Sequence, residues 1–452
     1  MDVPPLPLDR GSPVPLAVQL ADGLRGAAVG GMLRPGDRLP STRALATALG
    51  VSRTVTAAAF DQLLAEGWVA GRVGAGTYVT ALPVGLPGGA DRPAAAGAER
   101  APGPAGAGVP DALDPGRPCV AALDRAMWRR AWRAAADPEP DDAPRPDGLS
   151  GFHTAVVEHL LRHRGLAPDD VLSTAGTSAA VAELARLLPA GARVAVEEPG
   201  YRRAVSALRA AGLRIVPVPV DDDGLVVDAV PAGCAAVYVT PAHQFPTAVR
   251  MPAARRVALV ERAREEGFLI IEDDYDGELR YDVAPLPLLA ALAPDRVVHL
   301  GTASKIVSPT LGVGWALAPA PVLAAWRDLR DRTGTRPSPA GQRVLIAMAR
   351  HGDLSRHLRR LRRELRERRA LVLAAAAGAG WRAHGDPAGA HLVLRGFAGT
   401  EAALIAAAAG RGIVVRGLAE YHDGPPRTSG LVVGYAAGTR ADLRRALARL
   451  TG

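Results

Sequence analysis

The sequence predicts a two-part chain, with a small α+β head at the N-terminus and a large α/β body behind it. Within residues 1–80, two short helical patterns meet at a glycine and are followed by two strand-like runs around a Gly-rich tip. From about residue 113 to residue 452, short apolar strands alternate with helical patterns, which is typical of βαβ units in a mostly parallel sheet. Residues 81–112 are rich in Pro, Gly and Ala, and they predict a linker because they offer too little apolar surface to fold.

The composition excludes several classes of protein. Hydrophobic residues make up 48% of the 452 residues, which excludes global disorder. No run of about 18 uncharged apolar residues predicts a membrane span, and the N-terminus lacks the pattern of a secretory signal. The two distant cysteines, Cys119 and Cys234, form neither a disulfide framework nor a metal knuckle, so we expect a cytoplasmic protein. The net charge of +8 permits a polyanionic partner.

The head predicts a helix-turn-helix followed by a wing. Ser41 is a good N-cap for one helix, Gly50 supplies the positive φ of the turn, and Ser52 caps a second helix. Two helices joined by a tight turn place the second in the major groove of double-stranded DNA, although an ordinary helix hairpin has the same spacing. The predicted DNA contacts lie before the second helix, along its first turns and in the wing: Arg38, Arg43, Ser52, Arg53, Thr54, Thr56, Arg72, Gly74 and Gly76.

The body predicts a doubly wound sheet from the strand patterns RVAVEEP, LRIVPVPV, CAAVYVTP, FLIIEDD and RVVHLGT, with helical patterns between them. From about residue 321, long charged helices precede HLVLRG and LVVGYA, and this order predicts a smaller α+β subdomain. On one of the earlier helices, His159 and His163 lie four residues apart. We expect them on a solvated helix face, and no metal site is predicted.

Lys305 is the only lysine in the chain; every other basic residue is arginine. Arginine cannot replace a lysine that must form a Schiff base, because the guanidinium group stays protonated. Lys305 follows the predicted strand RVVHLGT, a position that suits such a lysine. Thr302 and Ser304 beside it are suited to donate hydrogen bonds to a phosphate.

Asp273 ends the apolar strand FLIIEDD, where a carboxylate would hold the protonated nitrogen of a pyridine ring. Tyr275 lies near enough in the chain to bond a hydroxyl on the same ring. Taken alone, Asp273 is more simply explained as a helix cap or an ion-pair partner.

The segment LSTAGTSAAVAELARLL predicts a strand, a glycine turn and a helix. The backbone N–H groups of Gly176, Thr177 and Ser178 would bind a phosphate at the positive end of that helix. In EEPGYRRA, Tyr201 is suited to stack on a planar ring and Arg203 to meet a carboxylate.

The phosphate cradle, stacking aromatic, acid and lysine occur in the chain order of a fold-type I aminotransferase, so the body resembles that class. The head resembles the GntR-type winged helix through PGDRLPSTRALATALGVSRTVTAAAFDQLLAEG and GAGTYV. The body is similar to the MocR/GabR-type subfamily of GntR regulators through VEEPGYRRA, VYVTPAHQFPTAVRM, IIEDDYDGELRY, PLPLL and VVHLGTASK. The likeness covers nearly the whole chain apart from the linker.

The resemblance implies a regulator whose aminotransferase-like body binds pyridoxal 5′-phosphate (PLP) and senses a ligand, in a head-to-tail, domain-swapped homodimer. It implies that Lys305 forms the aldimine, that Asp273 holds the pyridine nitrogen and that Tyr275 bonds the ring hydroxyl. Thr302 and Ser304 would bind the phosphate.

Two positions depart from the pattern of these relatives. The stretch after the lysine is PTLGVGW, so Gly312 stands where relatives carry an arginine for the cofactor phosphate. Near the C-terminus the stretch is LVVGYA, so Val432 stands where aminotransferases carry an arginine for the substrate α-carboxylate. The second change argues against ordinary amino-acid transamination.

The leading hypothesis is therefore a DNA-binding regulator that is not an enzyme, with no catalytic residue assigned. Its effector is a small amino compound or PLP itself. One alternative is an active aminotransferase that carries a DNA-binding head. The other is a regulator whose body has lost PLP and only dimerises.

Overall fold

The computed structural model describes residues 6–12, 14–65, 68–72, 76–80, 112–139, 145–281 and 287–452. The chain forms two compact units, residues 1–103 and residues 104–452. All but the last residue of the predicted linker, residues 81–112, lies outside the described residues. Among the described helices, none is long and apolar enough to cross a membrane.

Three helices and a two-stranded antiparallel sheet form the head: α1 Leu16–Val29, α2 Thr42–Leu49, α3 Arg53–Ala65, β1 Val69–Arg72 and β2 Gly76–Val79. Their apolar side chains share one core, in which Leu20, Leu45 and Leu63 are almost wholly buried. This is the predicted winged helix-turn-helix.

The turn between α2 and α3 follows the predicted chemistry. The Ser41 hydroxyl accepts the N–H of Ala44 at 3.2 Å, and Gly50 ends α2 in the left-handed conformation with φ +63°. Ser52 then accepts the N–H of Val55 at 3.3 Å at the start of α3. These local bonds satisfy backbone donors that a helix start leaves free, so they fix the angle at which α3 leaves the turn.

The body is built on one large mixed sheet. Its eight strands are β3 Leu172–Thr174, β4 Arg193–Glu198, β5 Arg214–Asp221, β6 Gly224–Leu225, β7 Ala236–Val239, β8 Leu269–Asp274, β9 Val297–Thr302 and β10 Gly314–Leu317. They lie in the order β3-β10-β9-β8-β7-β4-β5-β6. The neighbours from β5 to β9 are parallel, and β10 is antiparallel to both β9 and β3.

Helices cover both faces of this sheet, because alternate strand residues feed two separate buried clusters. On β4, Val194 and Val196 join one cluster while Ala195 joins the other. The helices of the body are α4 Arg125–Ala136, α5 Ser150–Arg164, α6 Thr177–Ala185, α7 Arg202–Ala210, α8 Ala253–Glu266, α9 Leu289–Leu292, α10 Ala303–Ile306, α11 Ala320–Thr333, α12 Pro339–Arg350, α13 Asp353–Gly378, α14 Glu401–Gly410 and α15 Arg440–Thr451.

A second, antiparallel sheet forms the smaller subdomain. Its strands are β11 Arg382–His384, β12 His391–Arg395, β13 Arg416–Gly417 and β14 Leu431–Gly434, in the order β11-β12-β14-β13. Leu323 and Trp326 of α11 are buried with residues of the large sheet. The packing of the large sheet therefore extends beyond residue 321, where we expected the subdomain to begin.

The prediction that His159 lies on a solvated face is wrong. His159 is 7% exposed, and its Nε2 lies 2.9 Å from a carboxylate oxygen of Glu278. The apolar periodicity of α5 did not reveal this polar contact, because Glu278 lies 119 residues further along the chain.

Candidate cofactor site and DNA-binding surface

A cavity of about 490 Å³ lies where β3, β7, β8 and β9 end. Because these strands run in the same direction, their carboxyl ends meet at one edge of the sheet, which is where open α/β sheets bind ligands. The cavity is lined by all the residues predicted for the cofactor and ligand: Gly176, Thr177, Ser178, Tyr201, Arg203, Asp273, Tyr275, Thr302, Ser304 and Lys305.

Asp273 is the one acid of the run Glu272–Asp274 that lines the cavity. On one side of it, Glu272 accepts the N–H groups of Leu289 and Ala290, and on the other, Asp274 pairs with the buried Arg164 at 3.1 Å. Alternation along β8 therefore decides which carboxylate faces the site.

The Asp273 carboxylate has one oxygen engaged and one free. Tyr238 donates to Oδ2 at 2.5 Å, and Oδ1 is buried without a hydrogen-bond partner among the described residues. Burial raises the pKa of Asp273 to about 7, although the Tyr238 hydrogen bond lowers it. An unpaired buried acceptor is costly, so the site fits a ligand that presents a cationic N–H to Oδ1, as a protonated pyridine ring does.

Lys305 lies in the short helix α10, directly after β9. Its Nζ donates to the backbone carbonyl of Gly116. Burial lowers the pKa of Lys305, while the carboxylates of Asp276 and Asp114 oppose the shift. A lowered pKa leaves more of the amine unprotonated, which is the form that attacks a carbonyl.

The predicted phosphate groups gather at the start of α6. Gly176 precedes the helix with φ +108°, and no side chain caps it. A Cβ at Gly176 would lie 3.5 Å from Thr302 Oγ1, so the turn brings the helix start close to the end of β9. The Thr302 hydroxyl also accepts the N–H of Ser304 at 3.1 Å. Uncapped N–H groups and two hydroxyls are suited to an anionic phosphate.

Aromatic rings form one wall of the cavity. Tyr201 and Tyr421 each meet Phe245 edge to face, with ring centroids 5.7 Å and 5.2 Å apart. The Tyr201 hydroxyl lies 3.1 Å from Ser178 Oγ, which fixes the ring beside α6. Neither Phe245 nor Tyr421 was predicted as a site residue. The fold brings them to this wall from segments that are distant from Tyr201 in the sequence.

A buried cluster of His243, Asp276 and His391 lies behind Tyr275, and its ligand atoms all lie within 4.8 Å of one another. His243 Nδ1 is 2.9 Å from Asp276 Oδ2 and 3.1 Å from the Tyr275 hydroxyl. That hydroxyl also donates to the His243 carbonyl at 2.8 Å. Because hydrogen bonds join His243 to Asp276 and to Tyr275, they orient Tyr275 toward the cavity.

The sequence missed three arginines of the cavity lining, Arg117, Arg202 and Arg416. Arg202 donates to the carbonyls of Glu420 and His422, at 3.0 Å each. In a chain with so many arginines, the sequence holds no local signal that distinguishes these three.

The two departures lie in different surroundings. Gly312 has φ +54°, and a Cβ there would meet nothing within 4 Å. Val432 is fully buried in β14, in an apolar cluster with Val393, Leu418 and Tyr421. Neither residue lines the cavity among the described residues.

In the head, most predicted DNA contacts are exposed. Arg38, Arg43, Ser52, Arg53, Thr54 and Gly76 are all exposed to solvent. Gly76 has φ +110°, and a Cβ there would lie 2.9 Å from Arg38 Nε, so the wing passes close to that arginine. Gly74 and the Arg72 side chain lie outside the described residues.

The prediction that Thr56 contacts DNA is wrong for this head. Thr56 is fully buried, and its hydroxyl donates to the carbonyl of Thr42 at 2.9 Å. It joins α3 to α2 because position 56 falls on the inner face of the helix.

Comparison with known proteins gives two family matches. Residues 16–79 match the bacterial regulatory proteins of the gntR family, and residues 115–450 match aminotransferase class I and II. The second match covers most of the body.

Two relatives align with this chain over nearly their whole length. The HTH-type pyridoxine biosynthesis transcriptional regulator PdxR of Corynebacterium glutamicum is 35% identical, over 99% of this chain and 98% of that protein. The probable rhizopine catabolism regulatory protein MocR of Rhizobium meliloti is 33% identical, over 95% of this chain and 92% of that protein.

Two aminotransferases are among the solved structures similar to the body. An archaeal alanine:glyoxylate aminotransferase aligns with a TM-score of 0.70 at 22% identity, covering 75% of this chain and 89% of that one. The α-aminoadipate aminotransferase LysN of Thermus thermophilus aligns with a TM-score of 0.65 at 24% identity, covering 74% and 90%. These likenesses establish the fold.

Proposed function

The chain belongs to the MocR-type GntR transcriptional regulators, in which a DNA-binding head is joined to an aminotransferase-like body, and we propose that it binds PLP through Lys305 and signals a ligand to DNA. The observation that carries the proposal is that two chemically distinct groups, an amine and an unpaired carboxylate oxygen, line the same cavity. The only lysine of the chain and the free, buried oxygen of Asp273 both belong to its lining.

The residues of the cavity fit PLP, the cofactor of this class of body. When bound, PLP supplies an aldehyde carbon that condenses with an amine, and a ring that withdraws electrons. Asp273 would accept a hydrogen bond from the protonated ring nitrogen, and Tyr275, held by His243, would bond the ring hydroxyl. Thr302, Ser304 and the N–H groups at the start of α6 would bind the phosphate, and Tyr201 would stack on the ring.

The related proteins are regulators, and we propose that the body of this chain senses rather than turns over its ligand. The support is Val432, a buried aliphatic side chain where aminotransferases place the arginine for the substrate carboxylate. Without an arginine at this position, the carboxylate of a bound amino acid is not held from the place that aminotransferases use for turnover. The effector is a small amino compound or PLP itself, and the regulator acts as a homodimer.

In the head, we assign DNA contact to the exposed start of α3 and to the surface that precedes it. Arg53 and Thr54 lie on the first turn of α3, where a recognition helix meets base edges. Arg38 and Arg43 are placed for phosphates.

The test joins the two parts. Duplexes that the full-length protein binds are selected from a random library, and affinity is then measured at fixed salt with and without PLP and amines. We expect PLP or an amine to change the DNA affinity, because an effector that binds two arrangements unequally must shift them. An unchanged affinity, together with steady turnover of an amino donor and a keto acid, would support the aminotransferase alternative instead.

A further inference from the structure

Arg416 lies beside Val432, the position at which aminotransferases carry the arginine for the substrate carboxylate. In the antiparallel pair of β13 and β14, Arg416 lies directly opposite Val432. Residues directly opposite in such a pair point to the same face of the sheet, with Cβ atoms about 4.5–5.5 Å apart. A side chain that starts at residue 416 therefore leaves the sheet beside the place where the usual arginine would start.

The two side chains nevertheless end in different places. Val432 belongs to an apolar cluster with Tyr421, whereas Arg416 and Glu420 reach the lining of the cavity. The pairing of β13 with β14 thus places an arginine on β13 beside the position on β14 where the usual arginine is missing.

The strand that carries Arg416 is held firmly in place. Glu401 accepts the N–H of Ala419 at 3.0 Å with one oxygen and the N–H of Gly430 at 2.9 Å with the other. A Cβ at Gly417 would collide with the Glu401 carboxylate, so only glycine permits this contact beside Arg416. Two backbone bonds to one carboxylate fix the segments that follow β13 and precede β14.

The charge of Arg416 remains available to a ligand. Its Nη1 pairs with Glu420 Oε1 at 2.5 Å, with side chains 37% and 47% exposed. A pair this exposed contributes little free energy, because water competes for both groups. A carboxylate enclosed in the cavity is better shielded, so it can displace Glu420 from Arg416.

The cavity as a whole favours an anionic ligand. Arg117, Arg202, Arg203, Arg416 and Lys305 line it, against the carboxylates of Asp114, Asp273 and Glu420. Arg203, which also lines the cavity, is exposed and has no hydrogen bond or ion pair with any described residue.

We infer that Arg416 is the residue that selects a carboxylate on the effector, so that the ligand is a small amine bearing a carboxylate group. This inference rests on the proposed function, since the amine of the ligand must meet the cofactor held at Lys305. Arg203 supplies the second cation. When no ligand is present, Glu420 forms an ion pair with Arg416.

The test compares amines that differ only by a carboxylate. The PLP-loaded, full-length protein is titrated with L-alanine against ethylamine and with 4-aminobutyrate against propylamine, by following the visible band of the bound cofactor. We expect the wild-type protein to prefer the carboxylated member of at least one pair. The Arg416→Gln variant should lose that preference by about 10-fold or more, with binding of the plain amine unchanged.

Two further variants sharpen the comparison. Arg209→Gln removes an exposed arginine that pairs with Asp423 at 2.8 Å outside this cavity, and we expect it to leave the preference unchanged. Glu420→Gln removes the competitor of the ligand, and we expect it to tighten binding of the carboxylated amine several-fold.

The outcomes separate this inference from the proposed function. A normal visible band with the same carboxylate preference in wild type and Arg416→Gln, or with no preference in wild type, would overturn the role of Arg416 alone. Absence of the band would overturn the proposed function. In that case, calorimetric titration of the cofactor-free protein with maleate, a dicarboxylate without an amine, still tests whether Arg416→Gln weakens anion binding. Unchanged or absent maleate binding would overturn the inference there too.

Discussion

The Tyr238 hydroxyl donates a 2.5 Å hydrogen bond to Oδ2 of Asp273, and this contact decides which oxygen of the carboxylate is left for the cavity. Tyr238 is fully buried in β7 and Asp273 in β8, on adjacent parallel strands. The bond from the neighbouring strand therefore fixes the orientation of the carboxylate. It leaves Oδ1 without a partner among the described residues.

Replacing Tyr238 with Phe should weaken PLP binding. Without the hydroxyl the ionised form of Asp273 loses its donor, so its pKa rises further and it accepts less well from a protonated pyridine nitrogen. We expect a loss of affinity of about 10-fold in a visible titration with PLP. Tyr281→Phe is the matched control, because the Tyr281 hydroxyl is also buried but contacts Ala388 and Tyr435, whereas the Tyr238 hydroxyl contacts Asp273. Equal effects of the two variants would contradict the role of Tyr238.

Asp273→Asn should change how the stability of the cofactor-free protein depends on pH. The folded-state pKa of Asp273 is about 7, above the value of about 3.9 in an unfolded chain. The folded state therefore binds the proton more tightly, and wild-type stability falls as the pH rises from about 4 to 7. Since the variant lacks this group, urea unfolding at pH 5 and pH 8 should show a smaller loss for Asp273→Asn. Parallel losses would show that Asp273 ionises normally.

Gly312→Arg should restore a phosphate contact of the kind that relatives have. A side chain at this position meets open space, although φ +54° imposes a strain of about 1 kcal/mol on any residue but glycine. A charge-assisted contact is worth about 1.5–3 kcal/mol, which exceeds the strain. We expect PLP to bind more tightly, by about 10- to 150-fold, than it does to Gly312→Ala, which carries the same strain without the charge. Equal affinities would mean that position 312 does not face the phosphate.

Arg53→Ala should weaken DNA binding and leave the head folded. Arg53 is exposed on the first turn of α3, where we place the DNA. If it contacts a phosphate, affinity falls for all sequences and the slope of log affinity against log salt decreases by about 1. Arg25→Gln on α1, where Arg25 pairs with Asp22, is the control. A normal affinity for Arg53→Ala would remove α3 from the interface.

Thr56→Val should act in the opposite way. The buried hydroxyl that joins α3 to Thr42 is lost, so the head should lose about 1 kcal/mol of stability in thermal unfolding. DNA affinity at a temperature where the head stays folded should not change. A specific loss of affinity without a loss of stability would return Thr56 to the DNA surface.

The sequence was sufficient for the fold and for the residues that follow strands. Asp273, Thr302 and Lys305 each lie at or just after the end of an apolar strand, and parallel strands bring their ends to one edge. Gly50 and the two serine caps in the head were also predicted correctly, because a turn and a helix cap depend only on residues close in the sequence.

What the sequence did not reveal depends on contacts between distant segments. Arg416 reaches the cavity only because β13 pairs with β14, and Arg117 only because the segment before α4 passes beside Lys305. Thr56 was predicted on the exposed face of α3 but lies on the buried face, because a polar residue at this position gave no sign that it is buried. The contact of His159 with Glu278 was hidden for the same reason of sequence distance.

The most direct test of the central claim is reduction of the PLP-loaded protein with borohydride, followed by peptide mass mapping. We predict a visible absorbance band that disappears on reduction, and a phosphopyridoxyl mass on the peptide that contains Lys305. Lys305→Gln should show neither. Because the chain has a single lysine, only the N-terminal amine competes for the label. An unmodified Lys305 and no visible band at saturating PLP would contradict the account.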